Sequence, residues 1–206
     1  MRMRVLANLR NVDETLARRV ADGLGEKLPP KSETAVEPRD LELSPALRIV
    51  GKYPPTLNGR TVGILASDGA DGAIIDAVKN AVEAKGGTVK IVAVKIGGVA
   101  LKGGRTVKVD GQLAGTPSVV FDAVAIVLSK DGCATLLGEA AAIDFVRDAF
   151  GHLKAIGFTA ESKPLLDKAG ITADTAVVDL GHGANAFIGP ASTRQWDREA
   201  KVRTLA

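Results

Sequence analysis

The strongest nucleophile that this chain of 206 residues offers is its single cysteine. Cys133 follows Asp131 and Gly132 at the predicted start of a helix, where the helix dipole can lower a thiol pKa. It is therefore a candidate thiolate nucleophile or peroxide sensor. Asp131 would oppose thiolate formation and no base lies beside the thiol in the sequence. The favoured interpretation is a small, partly buried thiol without a chemical role.

Aspartates and histidines supply the other candidates. Asp68, Asp71 and Asp76 follow the first predicted strand and form an acidic cluster at its end. Asp71 and Asp76 are placed to serve as helix-start charges, which is the interpretation we favour, and Asp71 is also a candidate catalytic acid. His152 is predicted to lie near a helix C-terminus, where, with Lys154, it would help to satisfy terminal carbonyls.

Residues 181–186, Gly-His-Gly-Ala-Asn-Ala, formally fit the dinucleotide-binding pattern G-x-G-x-x-A. That pattern opens a helix at the front of a βαβ unit, whereas here Phe-Ile-Gly-Pro follows and the chain is almost finished. We therefore expect no dinucleotide site. His182 in this glycine-rich loop is a better site candidate than His152, but without a second histidine or cysteine nearby no metal site is expected.

Alternating strands and helices would position these residues. Residues 121–129 include an apolar run without polar alternation, which is typical of a parallel strand covered on both faces. Comparable runs predict five core strands, at residues 61–66, 88–94, 121–129, 154–159 and 176–180, with helices between them. The pattern predicts an α/β fold, a flavodoxin-like doubly wound parallel sheet. Its ligand crevice should lie at the carboxyl ends of the strands.

Two shorter features complete this predicted domain. Apolar residues flank Asp110-Gly111, the strongest short hairpin signal available, and predict a small β-hairpin flap. After the last strand we expect a loop that contains Pro190 and then a charged helix over residues 192–205.

The first part of the chain has a different character. Apolar residues from Leu6 to Leu24 recur at three- and four-residue steps and predict an amphipathic helix, with a start or a restart at residues 11–13, that ends at Gly23 and Gly25. Six prolines between residues 27 and 57 predict an extended arm. The predicted division is a helix and proline-rich arm at residues 1–58 and a flavodoxin-like domain at residues 59–206.

Composition excludes several classes of function. The net charge is +3, the charges are interspersed, and aromatic residues make up 3%, so we expect no nucleic-acid partner. No run approaches eighteen apolar residues and the N-terminus lacks the apolar block of a secretory signal, so we expect no membrane partner and a cytoplasmic location. A single cysteine excludes an internal disulfide.

The order of these motifs resembles the C-terminal domain of large-subunit haem catalases, a flavodoxin-like domain related to class I glutamine amidotransferases and to the DJ-1/PfpI proteins. The segments that carry the resemblance follow one another in the family's order, at residues 6–25, 44–72, 116–127, 147–158 and 194–202. The first looks like the last helix of the catalase core, the second like the linker and first strand, and the last like the family's tail.

The resemblance implies part of a peroxide-disproportionating enzyme whose full-length form carries haem. The family's proximal haem ligand is a tyrosine in an Arg-x-Phe-x-Tyr setting, and Tyr53, in Gly-Lys-Tyr-Pro-Pro, departs from it. The distal histidine and asparagine motifs are missing too. We therefore expect no cofactor in this chain and no catalase activity from it alone. The resemblance implies the haem core as a partner, or self-association through the N-terminal helix and arm.

The relationship to DJ-1/PfpI proteins points to a second hypothesis. Their nucleophilic cysteine lies at a strand-to-helix turn that residues 159–162 match here, with Ala160 at the nucleophile position, and a methyl group cannot attack a carbonyl. Asp71 matches the partner acid's region. We interpret the chain as a non-catalytic, structural domain; the alternatives are a small hydrolase or glyoxalase that uses Cys133, and a holdase that uses its apolar N-terminal stripe.

Overall fold

The structure, a computed structural model, describes residues 1–37 and 39–202. These form two compact units, Met1–Ile49 and a second one that begins at Val50. Leu57 is 1% exposed and packs in the core of the second unit. The division between residues 58 and 59 stays a prediction.

The first unit begins with two helices, α1 (Arg2–Leu9) and α2 (Glu14–Gly23), where the periodicity predicted one helix with a restart. Asp13 causes the restart, because its carboxylate accepts a hydrogen bond from the Leu16 backbone N–H at 2.6 Å and caps α2. The proline-rich stretch that follows has no strand among its described residues and only one short 3₁₀ turn, Pro45–Leu47. The prediction that this stretch forms neither an α-helix nor a strand is confirmed for its described residues, and its role as an arm stays a prediction.

The second unit is built on a parallel sheet. The described strands are β1 (Thr61–Ala66), β2 (Thr88–Ala93), β3 (Val99–Ala100), β4 (Thr106–Val107), β5 (Gly111–Gln112), β6 (Ala123–Val127), β7 (Ile156–Phe158) and β8 (Val177–Asp179). Six of them form one sheet in the order β5-β2-β1-β6-β7-β8, and all neighbours in it are parallel. The five predicted core strands are confirmed, with β5 as an additional two-residue edge strand. Apart from β5, the order is that of flavodoxin-like sheets, which confirms the fold class predicted from the sequence.

Helices cover both faces of this sheet. The described helices are α3 (Gly72–Glu83), α4 (Lys130–Leu136), α5 (Ala140–Gly151), α6 (Lys163–Lys168), α7 (Asn185–Ala191) and α8 (Glu199–Val202). Buried side chains of α3 and α7 share one apolar cluster with Ile64, while those of α4, α5 and α6 share the other with Leu65. Adjacent strand residues point to opposite faces, so the continuous apolar runs of β1 and β6 serve both clusters. None of the described helices is long and apolar enough to cross a membrane.

The hairpin flap exists, but Asp110-Gly111 is not its turn, and that prediction was wrong. β3 pairs with β4 in the antiparallel sense, and the turn between them contains Gly103 and Gly104, both with positive φ. Asp110 instead accepts a hydrogen bond from the Ile91 backbone N–H at 2.9 Å, and Gly111 pairs in parallel with β2. Local sequence preference assigned this segment to a hairpin turn, but the segment pairs with the outer side of β2 instead.

The predicted C-terminal helix at residues 192–205 was also wrong. Ser192 caps the end of α7, a 3₁₀ turn covers Trp196–Arg198, and α8 begins only at Glu199; residues 203–206 lie outside the described part of the chain. Pro190 lies in the last turn of α7 rather than in a loop. Residues near Arg198 bond to the rest of the domain through side chains, and this tertiary anchoring replaces a continuous helix.

Candidate functional site

The fold places its natural ligand crevice between β1 and β6. The chain leaves β1 toward α3 on one face of the sheet and leaves β6 toward α4 on the other face, so the loops diverge at the carboxyl ends of these two strands. Ser67 directly follows β1 and Ser129 caps the start of α4. These two serines therefore lie at the topological switch point.

A network of hydrogen bonds fills that point. The Ser129 backbone N–H donates to Ser67 Oγ at 2.9 Å, and the two hydroxyl oxygens are 3.3 Å apart. Ser129 Oγ donates to the Asp68 carbonyl at 2.6 Å and accepts from the Gly132 N–H at 3.0 Å. A Cβ at Gly132 would collide with Ser67 Oγ, which shows how closely α4 is held against β1. The crevice is closed at its centre by the chain's own polar groups.

Two hollows remain on either side of this closure. The one on the β2 side has a volume of about 300 Å³, and its walls include Asp68, Lys95, Val99, Asp131 and Leu136. The one on the β7 side has a volume of about 290 Å³, and its walls include Asp71, Lys102, Ser129, Thr159 and Glu161. Asp71 and the strand-to-helix turn that follows β7 therefore share one hollow.

The acidic cluster predicted from the sequence is divided among separate structural roles. Asp71 caps α3 by accepting from the Ala73 N–H at 2.8 Å, which confirms its helix-start role. Asp68 accepts from the Ala100 N–H at 2.9 Å. Asp76 Oδ2 lies 2.7 Å from the Arg105 guanidinium, with both side chains about half exposed. These carboxylates do not converge on one point.

Cys133 is the second candidate, and it faces the core rather than either hollow. Its side chain packs in the apolar cluster of α4, α5 and α6 and the residue is 2% exposed. Burial raises the pKa of the Cys133 thiol, and a backbone hydrogen bond with Leu165 acts in the opposite direction without reversing the shift. A raised pKa and burial disfavour a thiolate at neutral pH.

In the turn that matches the nucleophile position of DJ-1/PfpI proteins, residues 159–162, both side-chain hydroxyls are buried. Ala160 begins a 3₁₀ turn and is exposed, whereas Thr159 and Ser162 are buried with their oxygens 2.9 Å apart. Ser162 Oγ donates to the Ile126 carbonyl at 2.9 Å and accepts from the Leu128 N–H at 3.1 Å. Sequence reasoning missed both hydroxyls. The available signal was a Thr and a Ser where a strand meets a helix.

The two histidines lie apart. His152 caps the end of α5, with Nδ1 2.8 Å from the Asp148 carbonyl, which confirms its predicted position. His182 is exposed at the end of a 3₁₀ turn. α7 follows His182, so the expectation that no helix follows the 181–186 pattern was wrong. The strand before the pattern, β8, is the last described strand and lies at one side of the sheet, so the pattern does not open a βαβ unit among the described residues. Within residues 1–37 and 39–202, no group of three or more His, Cys, Asp or Glu could hold a metal ion.

Lys154 was expected to help satisfy the carbonyls of a helix terminus. The structure places it just before β7, where the amino ends of the parallel strands lie, and we call this end of the sheet the amino edge. Lys154 is 2% exposed, and its Nζ donates to the Ser118 carbonyl at 2.7 Å. Burial, followed by the charge of Arg194, lowers the pKa of Lys154 to about 8. The helix-terminus role predicted for its ammonium was wrong, because the chain turns inward before β7.

Arg198 makes a second buried charge at this amino edge. Its guanidinium donates to both carboxylate oxygens of Asp174, at 2.7 and 2.9 Å, and to the Lys154 carbonyl at 2.7 Å. It also lies 4.1 Å from the centroid of the Phe150 ring. Burial acts to raise the pKa of Asp174, but the hydrogen bonds from Arg198 and from the Ala176 N–H outweigh it, and the pKa is lowered from its ordinary value.

Known proteins match this chain over most of its length. Residues 58–189 match a family model described as the C-terminal domain found in long catalases. Catalase C of Rhizobium meliloti (strain 1021) is 40% identical over 210 residues, which cover 98% of this chain and 30% of that protein. Catalase HPII of Mycobacterium avium is 34% identical over 172 residues, which cover 83% of this chain and 24% of that protein. The chain thus spans less than a third of the length of these relatives.

Proposed function

Because the chain belongs to the family of C-terminal domains found in long catalases, we propose that it has a structural, oligomer-supporting role and no catalysis of its own. Its relatives are named catalases, and this chain corresponds to about a third or less of each. Disproportionation of hydrogen peroxide would then be the activity of a whole protein in which this domain accompanies a haem core. A cytoplasmic location, indicated by the sequence, is part of this proposal.

The closed switch point is the observation that carries the proposal. In an enzyme of this fold, the loops after β1 and β6 would present a nucleophile, an acid or a cofactor-binding surface to the crevice. Here Ser67 and Ser129 bond to each other and to the backbone, and Asp71 bonds to the start of its own helix. The hydroxyls of Ser67 and Ser129 are thus engaged within the fold, and Asp71 is held at the start of α3, so none of the three is arranged beside a base or a nucleophile.

The described residues do not fit a haem site. Tyr53, the chain's one tyrosine, is 73% exposed, and His182 is exposed as well. His152 Nδ1 lies against the Asp148 carbonyl at the end of a helix. An axial ligand needs an apolar cavity around it that encloses the macrocycle, and none of these three side chains lines one. The haem chemistry of the full-length family enzyme therefore belongs, in this proposal, outside the described residues.

The first unit supplies the surface through which the domain would be held. Its described residues expose large apolar side chains along both helices and the arm, namely Met3, Val5, Val12, Leu16, Val36, Leu41, Leu43, Leu47 and Ile49, which are 42% to 96% exposed. The alignment with the Rhizobium meliloti relative covers 98% of the chain and so includes most of this unit, although the family model begins at residue 58. We take this apolar surface as the contact with the haem core, or with a second copy when the core is absent.

A domain replacement tests the structural role. The region of the Rhizobium meliloti catalase that aligns with this chain would be deleted in one variant and replaced by this chain in another. We expect the deletion to reduce the oligomeric mass measured by light scattering, and the replacement to restore it, with turnover per haem nearly unchanged in whatever soluble enzyme each variant gives. Normal assembly after deletion would contradict the structural role.

The isolated chain provides the matched control for catalysis. After incubation with haem, we expect no Soret band characteristic of an axially bound haem and no oxygen release from peroxide above that of free haem. A stoichiometric Soret band with catalase-like turnover would overturn the non-catalytic part of the proposal while leaving the assembly result intact.

The exposed apolar side chains also favour a second candidate function, a holdase for unfolding proteins. Residues 1–28 carry both helices, so their deletion would remove suppression of client aggregation if this function exists. The matched control replaces Arg4 and Arg19, which are exposed on the same two helices, with Gln and should leave suppression unchanged. Equal suppression by the full and the deleted chain would exclude a holdase based on this surface.

A further inference from the structure

We propose that the hollow on the β2 side of the switch point binds a small zwitterion with an apolar body, of the class of the apolar α-amino acids. This inference goes beyond the structural role proposed above and does not depend on it. The hollow has a volume of about 300 Å³, which is at the lower end of the volumes typical of small-molecule sites, about 300–1,000 Å³.

The walls of this hollow are mainly apolar. Ala66 and Ala93, at the ends of β1 and β2, form its base, and Val99 of the flap and Leu136 of α4 form two sides. All four residues are less than 5% exposed, so the base and sides are held by the packed core rather than by mobile surface groups. Such walls accommodate an aliphatic or aromatic body by burial of apolar surface.

Two side chains of opposite charge lie at the rim without partners. No described residue makes a hydrogen bond or an ion pair with the carboxylate of Asp131 or with the ammonium of Lys95. An α-ammonium beside Asp131 and a carboxylate beside Lys95 would complement both charges.

The loop between β2 and β3 gives the hollow an adaptable side. Val94, which lines the hollow, is 44% exposed, and Ile96, two residues further along the loop, is 60% exposed. Gly98 has a φ of +125° and packs closely against Thr106, whereas a Cβ at Gly97 would meet no atom within 4 Å, so the free space in this segment lies at Gly97. Closure of Val94 or Ile96 over an apolar ligand would bury surface that the chain now exposes.

The hollow is too small for a dinucleotide or a haem, and its mixed charge disfavours a phosphate. A purely anionic ligand would meet Asp131 and Asp68 at the same rim, and a purely cationic one would meet Lys95. A zwitterion is the small-molecule class that satisfies both signs at once.

The test is a two-dimensional NMR titration of the full chain with four probes. L-Phenylalanine carries both charges and an apolar ring, phenethylamine lacks the carboxylate, 3-phenylpropionate lacks the ammonium, and glycine lacks the ring. We expect saturable shifts at residues 94–99 and 131–136 with L-phenylalanine, and about two- to fivefold weaker binding when either charge is absent, as for exposed ion pairs. Glycine should cause no saturable shift.

Variants locate the site. Thr135→Trp places an indole in the hollow from an exposed position and should abolish binding, whereas Ala134→Trp, exposed on the same helix but outside the hollow, should leave binding unchanged. Asp131→Asn removes the partner of the α-ammonium and should weaken the binding of L-phenylalanine, whereas 3-phenylpropionate, which then meets one negative charge fewer, should bind equally well or more tightly. Asp144→Asn, exposed on α5, is the control for loss of one negative charge. Circular dichroism checks that each variant is folded.

Several results would overturn the proposal. The absence of saturable binding by L-phenylalanine at millimolar concentrations would do so, as would tighter binding of either singly charged probe. Binding that survives Thr135→Trp in a folded protein would show that the ligand lies elsewhere.

Discussion

The two ends of the parallel strands differ in where their charged groups lie. We call them the carboxyl edge and the amino edge of the sheet. At the carboxyl edge, where this fold places ligands, the central groups are the neutral hydroxyls of Ser67 and Ser129, bonded to each other and to the backbone. At the amino edge, where the fold has no customary site, Lys154 and Arg198 are each 2% exposed. The charged groups are thus buried on the side opposite to the expected chemistry.

This difference bears on whether the polar groups of the domain serve catalysis or stability. Groups with perturbed pKa values usually gather at active sites, but structural ion pairs perturb pKa values as well. Here the lowered pKa values of Lys154, Asp174 and Arg194 all belong to the amino edge, in contacts that join the C-terminal segment to the starts of strands. The contrast favours a domain whose polar chemistry holds the fold together.

Removal of Arg198 should have the largest effect. Arg198→Ala leaves Asp174 with the Ala176 N–H but without its cationic partner, removes the donor to the Lys154 carbonyl and removes the stacking on Phe150, so we expect a loss of about 3–5 kcal/mol in unfolding free energy. Urea denaturation measures it. Arg147→Ala, at an exposed position on α5, should change it by less than about 0.5 kcal/mol. Equal effects of the two substitutions would remove the distinction between the edges.

The titration of Lys154 should appear next, as a pH dependence of stability. Its pKa is about 8 in the folded chain against an ordinary 10.5, so between these values the unfolded chain binds a proton that the folded chain has released. Stability from this group therefore rises with pH across that window, by up to about 3 kcal/mol, and its burial cost is fully present below pH 8.

The measurement compares unfolding free energies at several pH values across that window for the wild type and Lys154→Met. The difference between the two proteins should change with pH by the amount given above. Lys85→Met, at an exposed position, should run parallel to the wild type. A parallel curve for Lys154→Met would mean that the lysine is hydrated in solution.

A substitution at Gly132 can disrupt the contact between α4 and Ser67 at the carboxyl edge. A methyl group there would collide with Ser67 Oγ, so Gly132→Ala should separate α4 from β1 and cost about 1–3 kcal/mol in unfolding free energy. Gly138→Ala is the matched control, because its Cβ would meet one atom, the Thr135 carbonyl oxygen, at an ordinary 3.6 Å. If Gly132→Ala were as stable as the control, the hydroxyl network would not be a rigid closure.

The smallest effect is expected at Asp71. Asn caps helices about as well as Asp, so Asp71→Asn should change the unfolding free energy by only a few tenths of a kcal/mol, whereas Asp71→Ala should cost about 1 kcal/mol. Thermal unfolding of both variants measures this. If the wild-type chain showed an enzymatic activity and Asp71→Asn lost it at unchanged stability, Asp71 would be restored as a catalytic acid.

Much of the fold could be predicted because its signals are local. The unbroken apolar runs around Ile64 and Ile126 and the glycines after α3 specify buried parallel strands and their βαβ connection. In two of the predictions that failed, a distant partner outweighed local preference. Asp110 is held by the N–H of Ile91, and the segment around Arg198 is held by Asp174 rather than by a continuous helix.

The candidate site was predicted in its parts and not in its arrangement. The sequence showed that Ala160 cannot be a nucleophile and that Asp71 begins a helix. It gave no indication that Ser67 and Ser129, separated by 62 residues, bond across the switch point. Hydrogen bonds between residues so far apart depend on strand order and register, which single-residue patterns do not encode.

By itself, then, the sequence determined the class of fold, the family resemblance and the missing nucleophile, because periodicity, turn residues and side-chain identity are properties of neighbouring residues. Only the tertiary structure decided where polar groups are satisfied. It paired Ser67 with Ser129 at one edge and buried Lys154 and Arg198 at the other. The physical reason is that the cost of burying a polar group depends on the partners that packing brings to it from elsewhere in the chain.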